Sequence, residues 1–545
     1  MGSTSQNLEN LILSLGGKGK FQLTIQFLVA FVYTPLVFNH VIMAFHGSSI
    51  PHECMAAADM ETGFNSTALT GQIYVMNVTH SECSSAVYYS NGQNKIIECT
   101  AGQWKYFPKY VEKNIVSKFD LVCSNEYLAN LATTIYFIGV MIGGLLFGDL
   151  ADRFGRLPVM LFTLYASMCV GLITAFSVNY IMFVCLRFVH GVLIQGLQTS
   201  AYTLLMELYR PKDRPFAGVM AEVFFSTSIM VLAGLAYLLR DWQHLQIAIN
   251  LVPLLTLFYP WFVPESLRWL ILRGKTEKAE KLLHRICKTN KIPYPEECWN
   301  LLKQDSRGQH QVVKQYNLSY LFRRWPIARL TFICFYLWFV VSLSYYGLTF
   351  KITSFKGNPY LNFFLSGLFE TLTYLFSLLL MNRFGRKKPL WTCFAFASAM
   401  CLTSGFVNSF TTGLDSLVTA FALAGKSSVA CVFAVLFVYV SELYPTVARN
   451  IGLGAGMFFA RFGSVMAPQI NQWTGHLLGI DGIFIFGSLS LAACVLVIPL
   501  PETHKKRLPD TFAEREIGEI NTSDYNETSK SDSGMLELKN GAVQA

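Results

Sequence analysis

The chain has 545 residues, 52% of them hydrophobic and 14% charged, with a net charge of +9 and a mean hydropathy of +0.39. Soluble domains carry roughly 25% charged residues, so this composition argues against an ordinary soluble protein. The excess positive charge does not argue for nucleic acid, because it gathers in one segment, Arg268 to Arg324, with no nucleic-acid-binding module around it.

In chain order, residues 1–20 are a short lead with one amphipathic stretch, Leu8 to Leu15. Phe21–Phe45 is an apolar run with His40 as its one ionisable side chain before His46. About 20 apolar residues cross a bilayer, and no small-residue cleavage site follows, so the run reads as a retained span. Residues 46–126 form a long polar loop. It carries the disulfide candidates Cys54, Cys83, Cys99 and Cys123, which allow three pairings. It also carries glycosylation sequons at Asn65 and Asn77. Both features suit an oxidising, extracellular face. Further sequons at Asn317, Asn521 and Asn526 fall in segments assigned to the cytoplasm and are expected to be unused.

Further spans are expected near 127–149, 157–177, 179–202, 216–239 and 244–264. The basic segment 265–326 follows and reads as cytoplasmic by the positive-inside rule. Within it, Ala279, Leu282, Leu283 and Ile286 share one helical face. Six more spans are expected near 327–350, 359–381, 389–409, 413–441, 449–471 and 480–500, and a polar tail, 501–545, is expected to be disordered.

The two halves, 21–264 and 327–500, repeat. GDLADRFGR (Gly148–Arg156) returns as NRFGRKK (Asn382–Lys388), MELYRPKDR as SELYPTVAR, and VPESLRW as LPETHKK. Gly155 and Gly385, Glu207 and Glu442, and Glu265 and Glu502 stand at offsets of 230, 235 and 237 residues. The expected fold is therefore an all-α membrane protein with twelve transmembrane helices in two parallel six-helix repeats, the plan of the major facilitator fold. Both termini are expected in the cytoplasm.

The charged turns read as a gate. Gly155 permits a tight turn, and Asp149, Asp152, Arg153 and Arg156 supply charge-assisted bonds to a neighbouring helix end. Arg386 takes the same place in the second half. Glu207 with Arg210 and Arg214, and Glu442 with Arg449, are the expected latch partners. One such block alone is better explained as a solvated turn with a positive bias; its repetition favours the latch.

Three charges fall at membrane depth: Arg461, Glu370 and Lys426. Such a charge costs about 2.5–3.5 kcal/mol even on the lenient insertion scale and usually lines a cavity. Mutual pairing of Glu370 with Arg461 or Lys426 is the plainer alternative. Glu222 and Arg187 lie nearer span ends and read as gate or interface residues. Aromatics supply the other wall: Trp338, Tyr345 and Tyr346, Phe224 and Phe225, and Phe437 and Tyr439. Aromatic faces accept cations and flat organic groups. Gly16 to Lys20, GGKGK, lacks Walker spacing, and HExxH, CxxC and GxSxG are absent. The chain thus reads as a non-enzyme without a cofactor; uphill transport would draw on sodium or on a counter-transported solute.

From Phe21 to Thr511 the chain resembles the organic cation, organic anion and carnitine transporter family of solute carriers. GDLADRFGR, PESLRWL, WFVVSLSYYGL, GRKKP, SELYPTVARNIGLG and LPET…LPDT carry the resemblance, together with the Cys-rich outer loop. It implies a polyspecific plasma-membrane carrier of small organic ions that alternates access; assembly with further copies is left open. By resemblance, Arg461 stands where cation transporters carry Asp, as in anion and carnitine transporters. Tyr374 is similar to the carnitine type and Glu370 to both the cation and carnitine types, although Leu372-Thr373 replaces a usual Pro-Ala. Tyr345-Tyr346, Phe225 and Phe437 are similar to the anion type, and Gln198 replaces a Trp of the cation type. One acid with one Arg suits a zwitterion by charge matching: Arg461 for a carboxylate, Glu370 and the tyrosines for an ammonium. The first expectation is therefore carnitine-like zwitterions. An organic anion or dicarboxylate exchanger, with Lys426 adding to Arg461, comes second, and an organic cation facilitator third.

Overall fold

The computed structural model describes residues 10–55, 75–89, 93–308, 318–323, 325–355, 357–411, 413–444, 449–474 and 481–503. Asn65 and the tail from residue 504 lie outside them. Among the described residues, eleven helices are long and apolar enough to cross a membrane. The first six are Lys20–His46, Cys123–Phe154, Arg156–Ala175, Tyr180–Leu208, Arg214–Leu238 and Trp242–Phe262. The next five are Trp325–Ser354, Pro359–Phe384, Lys387–Phe410, Asp415–Leu443 and Ile451–Trp473. They are called spans 1 to 11 below.

The twelfth expected span is a shorter apolar helix, Gly482–Val497, of 16 residues. At 1.5 Å per residue it reaches about 24 Å, less than a hydrocarbon core of about 30 Å. Asp481 starts it by accepting a hydrogen bond from the Ile483 amide, and the chain leaves the helix just before Pro499. It packs on spans 7 and 9.

Spans differ in how much of their surface is hidden. Span 1 is broken at Val32 and Ile42 into three helical pieces, yet Val29, Leu36, Val37 and Phe38 are all fully buried. Span 7 is similarly enclosed. Spans 3 and 8 instead leave one side open, with Phe162 64% and Leu379 65% exposed. Bare apolar stripes of this kind suit lipid contact. Spans 2 and 4 come unusually close: a Cβ on Gly143 would fall 2.3 Å from the Val192 carbonyl oxygen.

The loop between spans 1 and 2 departs from an all-helical chain. It forms β1 (His52–Cys54), β2 (Val75–His80), β3 (Ser84–Tyr89), β4 (Asn94–Glu98) and β5 (Trp104–Tyr106). β1 pairs with β5, and β2, β3 and β4 form a second antiparallel sheet. Of the three pairings open to the sequence, the structure has Cys54–Cys99 and Cys83–Cys123. The backbone of Asn77 lies in β2. The loop is docked on the helices: the Tyr360 hydroxyl donates to the Tyr110 carbonyl at 2.9 Å, and the Trp242 amide at the start of span 6 donates to the Lys113 carbonyl at 3.1 Å.

At the opposite, hinge face, the basic segment holds helices Leu267–Leu272, Thr276–Asn290 and Glu296–Gly308. Ala279, Leu282, Leu283 and Ile286 are buried together there, as their helical spacing anticipates.

Candidate transport pathway and hinges

The two halves meet at their loop-face ends and along spans 5 and 8. Phe45 stacks on Tyr360 and meets Phe363 edge-on, and Thr353 Oγ1 donates to the Ala44 carbonyl. Span 2 bonds span 11 through Thr134 and Gln469, and through Asn130 and Gln472. Span 5 presses on span 8, where Gly367 leaves room for the Ser226 carbonyl and Ser226 bonds Thr371 at 2.8 Å.

Below this seal lies a cluster of charged and aromatic side chains. Glu370 is fully buried on span 8 and forms an ion pair with Lys426 of span 10 at 3.0 Å. The Tyr345 hydroxyl donates to Glu370 at 2.6 Å and the Tyr374 hydroxyl at 3.1 Å, while Lys426 also donates to Ser366 at 2.6 Å. Lys426 lies 5.1 Å from the Tyr345 ring centre. Both ends of the pair are thus satisfied, as a buried pair needs to be to survive desolvation. This corrects two expectations. Glu370 is not open to an ammonium, because Lys426 already occupies it. Lys426 does not add to Arg461, because its charge is matched within its own half.

Arg461 is the cation left at the seam. It is 8% exposed on span 11. Its Nη2 donates across the halves to Gln198 Oε1 of span 4 at 2.7 Å. Tyr346 lies within its electrostatic reach, and no carboxylate among the described residues pairs with it. Glu222 of span 5 is half-buried and within electrostatic reach of Glu370, Tyr374 and Arg461. It belongs to this cluster rather than to a span end.

The aromatics divide. Phe225 meets Tyr345 across the halves at 6.3 Å, and Tyr346 meets Phe137 at 4.7 Å. Phe437 lies between Trp338 and Tyr202, at 6.1 and 5.2 Å. These sit around the seam. Phe224 packs instead on the exposed Phe27, and the Tyr439 hydroxyl donates to the Pro501 carbonyl, so neither joins the wall. The sequence reading missed Ser366, Tyr202 and Phe433. Ser366 and Phe433 lie one helical turn from Glu370 and Phe437 respectively, a periodicity signal that was available.

The gate residues form two matching knots at the hinge face. Arg156 Nε and Nη2 both donate to Glu207, at 3.1 and 3.0 Å, in a bidentate pair. Glu265 accepts from the backbone amides of Arg156 and Leu157, capping span 3. Burial pushes its carboxyl above the usual range, and those amides partly offset the rise. Gly155 has φ +112°, and a Cβ there would meet Glu265 Oε2 at 2.3 Å. The second half repeats this. Arg386 Nε donates to Glu442 at 3.1 Å, Glu502 accepts from the Arg386 and Lys387 amides, and Gly385 has φ +88° beside Glu502.

The expected latch partners are corrected accordingly. Glu207 pairs with Arg156, not Arg210 or Arg214; Arg210 bonds Asp213 at 2.9 Å and Arg214 Nε donates to the Met206 carbonyl. Glu442 bonds Arg386 and Thr503 rather than Arg449, which starts the helix continuing into span 11. Asp149 and Arg153 point to solvent, and Asp152 braces Arg156 at 2.8 Å. Among the described residues, each knot ties helices of one half together and does not cross to the other. A hollow of about 40 Å³ at this face is lined by Leu15, Phe21, Glu207 and Glu265; its acids are already engaged, which separates it from the seam cluster.

Comparison with known proteins agrees with this architecture. The profile of the family described as sugar (and other) transporter matches residues 54–511. Human solute carrier family 22 member 13 is 32% identical over 525 residues, covering 93% of each chain. Solute carrier family 22 member 6-B of Xenopus laevis is 30% identical over 551 residues, covering 98% of this chain and 99% of that one. An organic cation transporter protein of Drosophila melanogaster is 32% identical over 449 residues, covering 81% of this chain and 80% of its own. The xylose transporter XylE of E. coli, in a partially occluded inward-open conformation, superposes with a TM-score of 0.60 at 16% identity, covering 90% of this chain and all of that one. That likeness speaks for the major facilitator fold alone. The protein is a multi-pass membrane transporter, not an enzyme, and belongs to the sugar and other transporter family and, within it, to solute carrier family 22.

Proposed function

We propose that this protein is a plasma-membrane carrier of small organic ions that works by alternating access, and that Arg461 takes the solute's carboxylate. One observation carries this reading. Glu370 and Lys426 neutralise each other, whereas Arg461 faces the seam with a neutral amide as its hydrogen-bond acceptor. An incoming carboxylate can replace that amide with a bidentate, charge-assisted pair. Phe225, Tyr345, Tyr346, Trp338 and Phe437 offer the aromatic surface for the organic part. An organic anion therefore ranks first. A carnitine-like zwitterion is the second reading, favoured by Glu222, an acid within reach of both Arg461 and Tyr374; in it Glu222 takes the ammonium. A cation alone would be repelled by Arg461. The names of similar proteins, which include organic cation transporters, support the organic-ion class.

In this reading the hinge face and both termini are cytoplasmic, consistent with the basic segment at that face. The sheet-bearing loop is extracellular, with Asn65 and Asn77 as glycan acceptors. The carrier needs no resident cofactor and draws on a sodium gradient or on solute exchange.

The test is uptake of labelled para-aminohippurate, carnitine and tetraethylammonium by cells expressing wild type or Arg461→Asp. Wild type is expected to take up para-aminohippurate saturably, with stimulation by solute on the far side, and Arg461→Asp to lose at least tenfold. Carnitine uptake exceeding that of para-aminohippurate selects the zwitterion reading. An unchanged charge preference in Arg461→Asp would rule out Arg461 as the carboxylate site.

A further inference from the structure

The first half also buries a cation, and no described residue neutralises it. Arg187 on span 4 is 1% exposed. Its Nη2 donates to the Asn39 carbonyl at 3.2 Å, and its guanidinium lies 4.0 Å from the Tyr136 ring centre. Its Nε and Nη1 have no hydrogen-bond partner, and it forms no ion pair among the described residues. His190 sits three residues further on, on the same helical face, fully buried, with both ring nitrogens unpartnered.

The surroundings are neutral or basic on every side. Span 1 brings His40 and His46, and span 2 brings Tyr136, whose hydroxyl lies 2.7 Å from His40 Nδ1. Span 6 brings Trp242, edge-on to His46, and Asn250, which bonds Asn39. Tyr346 of span 7 reaches His40 at 6.3 Å, and Arg461 of span 11 also faces His40. No carboxylate is among the groups that act electrostatically on Arg187, His190, His40 or His46. An unpaired buried cation with open donors is expensive, and the least costly remedy is an anion.

We propose that Arg187 and His190 form a binding site for a small monovalent inorganic anion of chloride size, separate from the Arg461 site. Nε–H of Arg187 and one N–H of His190 are its donors. The size follows from the enclosure. A Cβ on Gly191 would lie 2.3 Å from the Tyr136 carbonyl, and one on Gly139 2.3 Å from that of Phe188, so spans 2 and 4 leave no room for an organic solute. The site rests on residues that the proposed solute recognition does not use.

The experiment is thermal unfolding of the purified full-length protein in detergent, with sodium gluconate replaced stepwise by sodium chloride, bromide or acetate at constant ionic strength. A ligand that binds only the folded state raises the midpoint saturably. Chloride and bromide are expected to do so in wild type and in Arg461→Gln, and not in Arg187→Gln. The proposal is overturned by a flat wild-type response, by a shift that survives Arg187→Gln, or by one lost in Arg461→Gln but kept in Arg187→Gln. An acetate shift as large as that of chloride overturns the inorganic assignment in favour of a carboxylate. Should Arg187→Gln not fold, His190→Leu is expected to weaken half-saturation at least tenfold; an unchanged value overturns the site.

Discussion

Two buried cations, Lys426 of the second half and Arg187 of the first, are handled in opposite ways, although the hinge-face ends of the two halves are near copies. In the second half Lys426 is held by Glu370 and Ser366, with two tyrosine hydroxyls completing Glu370. In the first half Arg187 has a backbone carbonyl and an aromatic face but no acid. At the hinges, by contrast, each half has an Arg clasped by a Glu, a second Glu capping the next helix, and a glycine at positive φ beside it. Duplication has kept what holds a six-helix half together. It has diverged in how the interior matches its buried charges.

The sharpest way to break this comparison is to disable each buried cation's support. Lys426→Ala leaves Glu370 charged and unpaired, and about 3–5 kcal/mol of stability is expected to go. The double variant Glu370→Leu/Lys426→Met should recover most of it, since a buried pair and a packed apolar pair are often close in energy. Thermal midpoints of the three proteins in detergent form the required cycle. If the double variant is no better than the single, the pair is not the unit described above.

The hinge symmetry predicts smaller, matched effects. Glu207→Ala and Glu442→Ala each remove a charge-assisted pair, for a loss of about 1.5–3 kcal/mol. Losses differing by more than the whole of that range would mean the two knots are not equivalent. The smallest effects are expected at Gly155→Ala and Gly385→Ala. Each forces an L-residue into positive φ against a glutamate, at about 1–3 kcal/mol. The first should be the worse of the two, because its Cβ would come closer to the carboxylate, 2.3 against 2.7 Å. Equal or reversed losses would show that local relaxation decides the outcome.

Much of the hinge was legible in the sequence, because its parts recur in order and at near-constant offset. The partners were not. Glu207 stands in one motif with Arg210 and Arg214, yet it reaches back 51 residues to Arg156. A helix-to-helix contact at the hinge face follows from how spans 2, 3 and 4 pack, and sequence proximity does not report that. The same holds at membrane depth. Arg461, Glu370 and Lys426 stand out as charges inside apolar runs, but which of them pair depends on the rotation of spans 8, 10 and 11. Arg187 was placed nearer a span end because residue counting locates a side chain along a helix and not around it.

The sequence by itself determined the membrane class, the duplicated plan and the family. Those rest on run length, on repetition and on motifs that survive without any knowledge of contacts. The strand pairing of the outer loop, its two disulfides, the Glu370–Lys426 match and the isolation of Arg187 were decided only by the tertiary structure. Each depends on which side of a helix or strand faces which neighbour, a relation between residues up to hundreds of positions apart. In a low-dielectric interior that relation fixes whether a charge is answered or left open to a ligand.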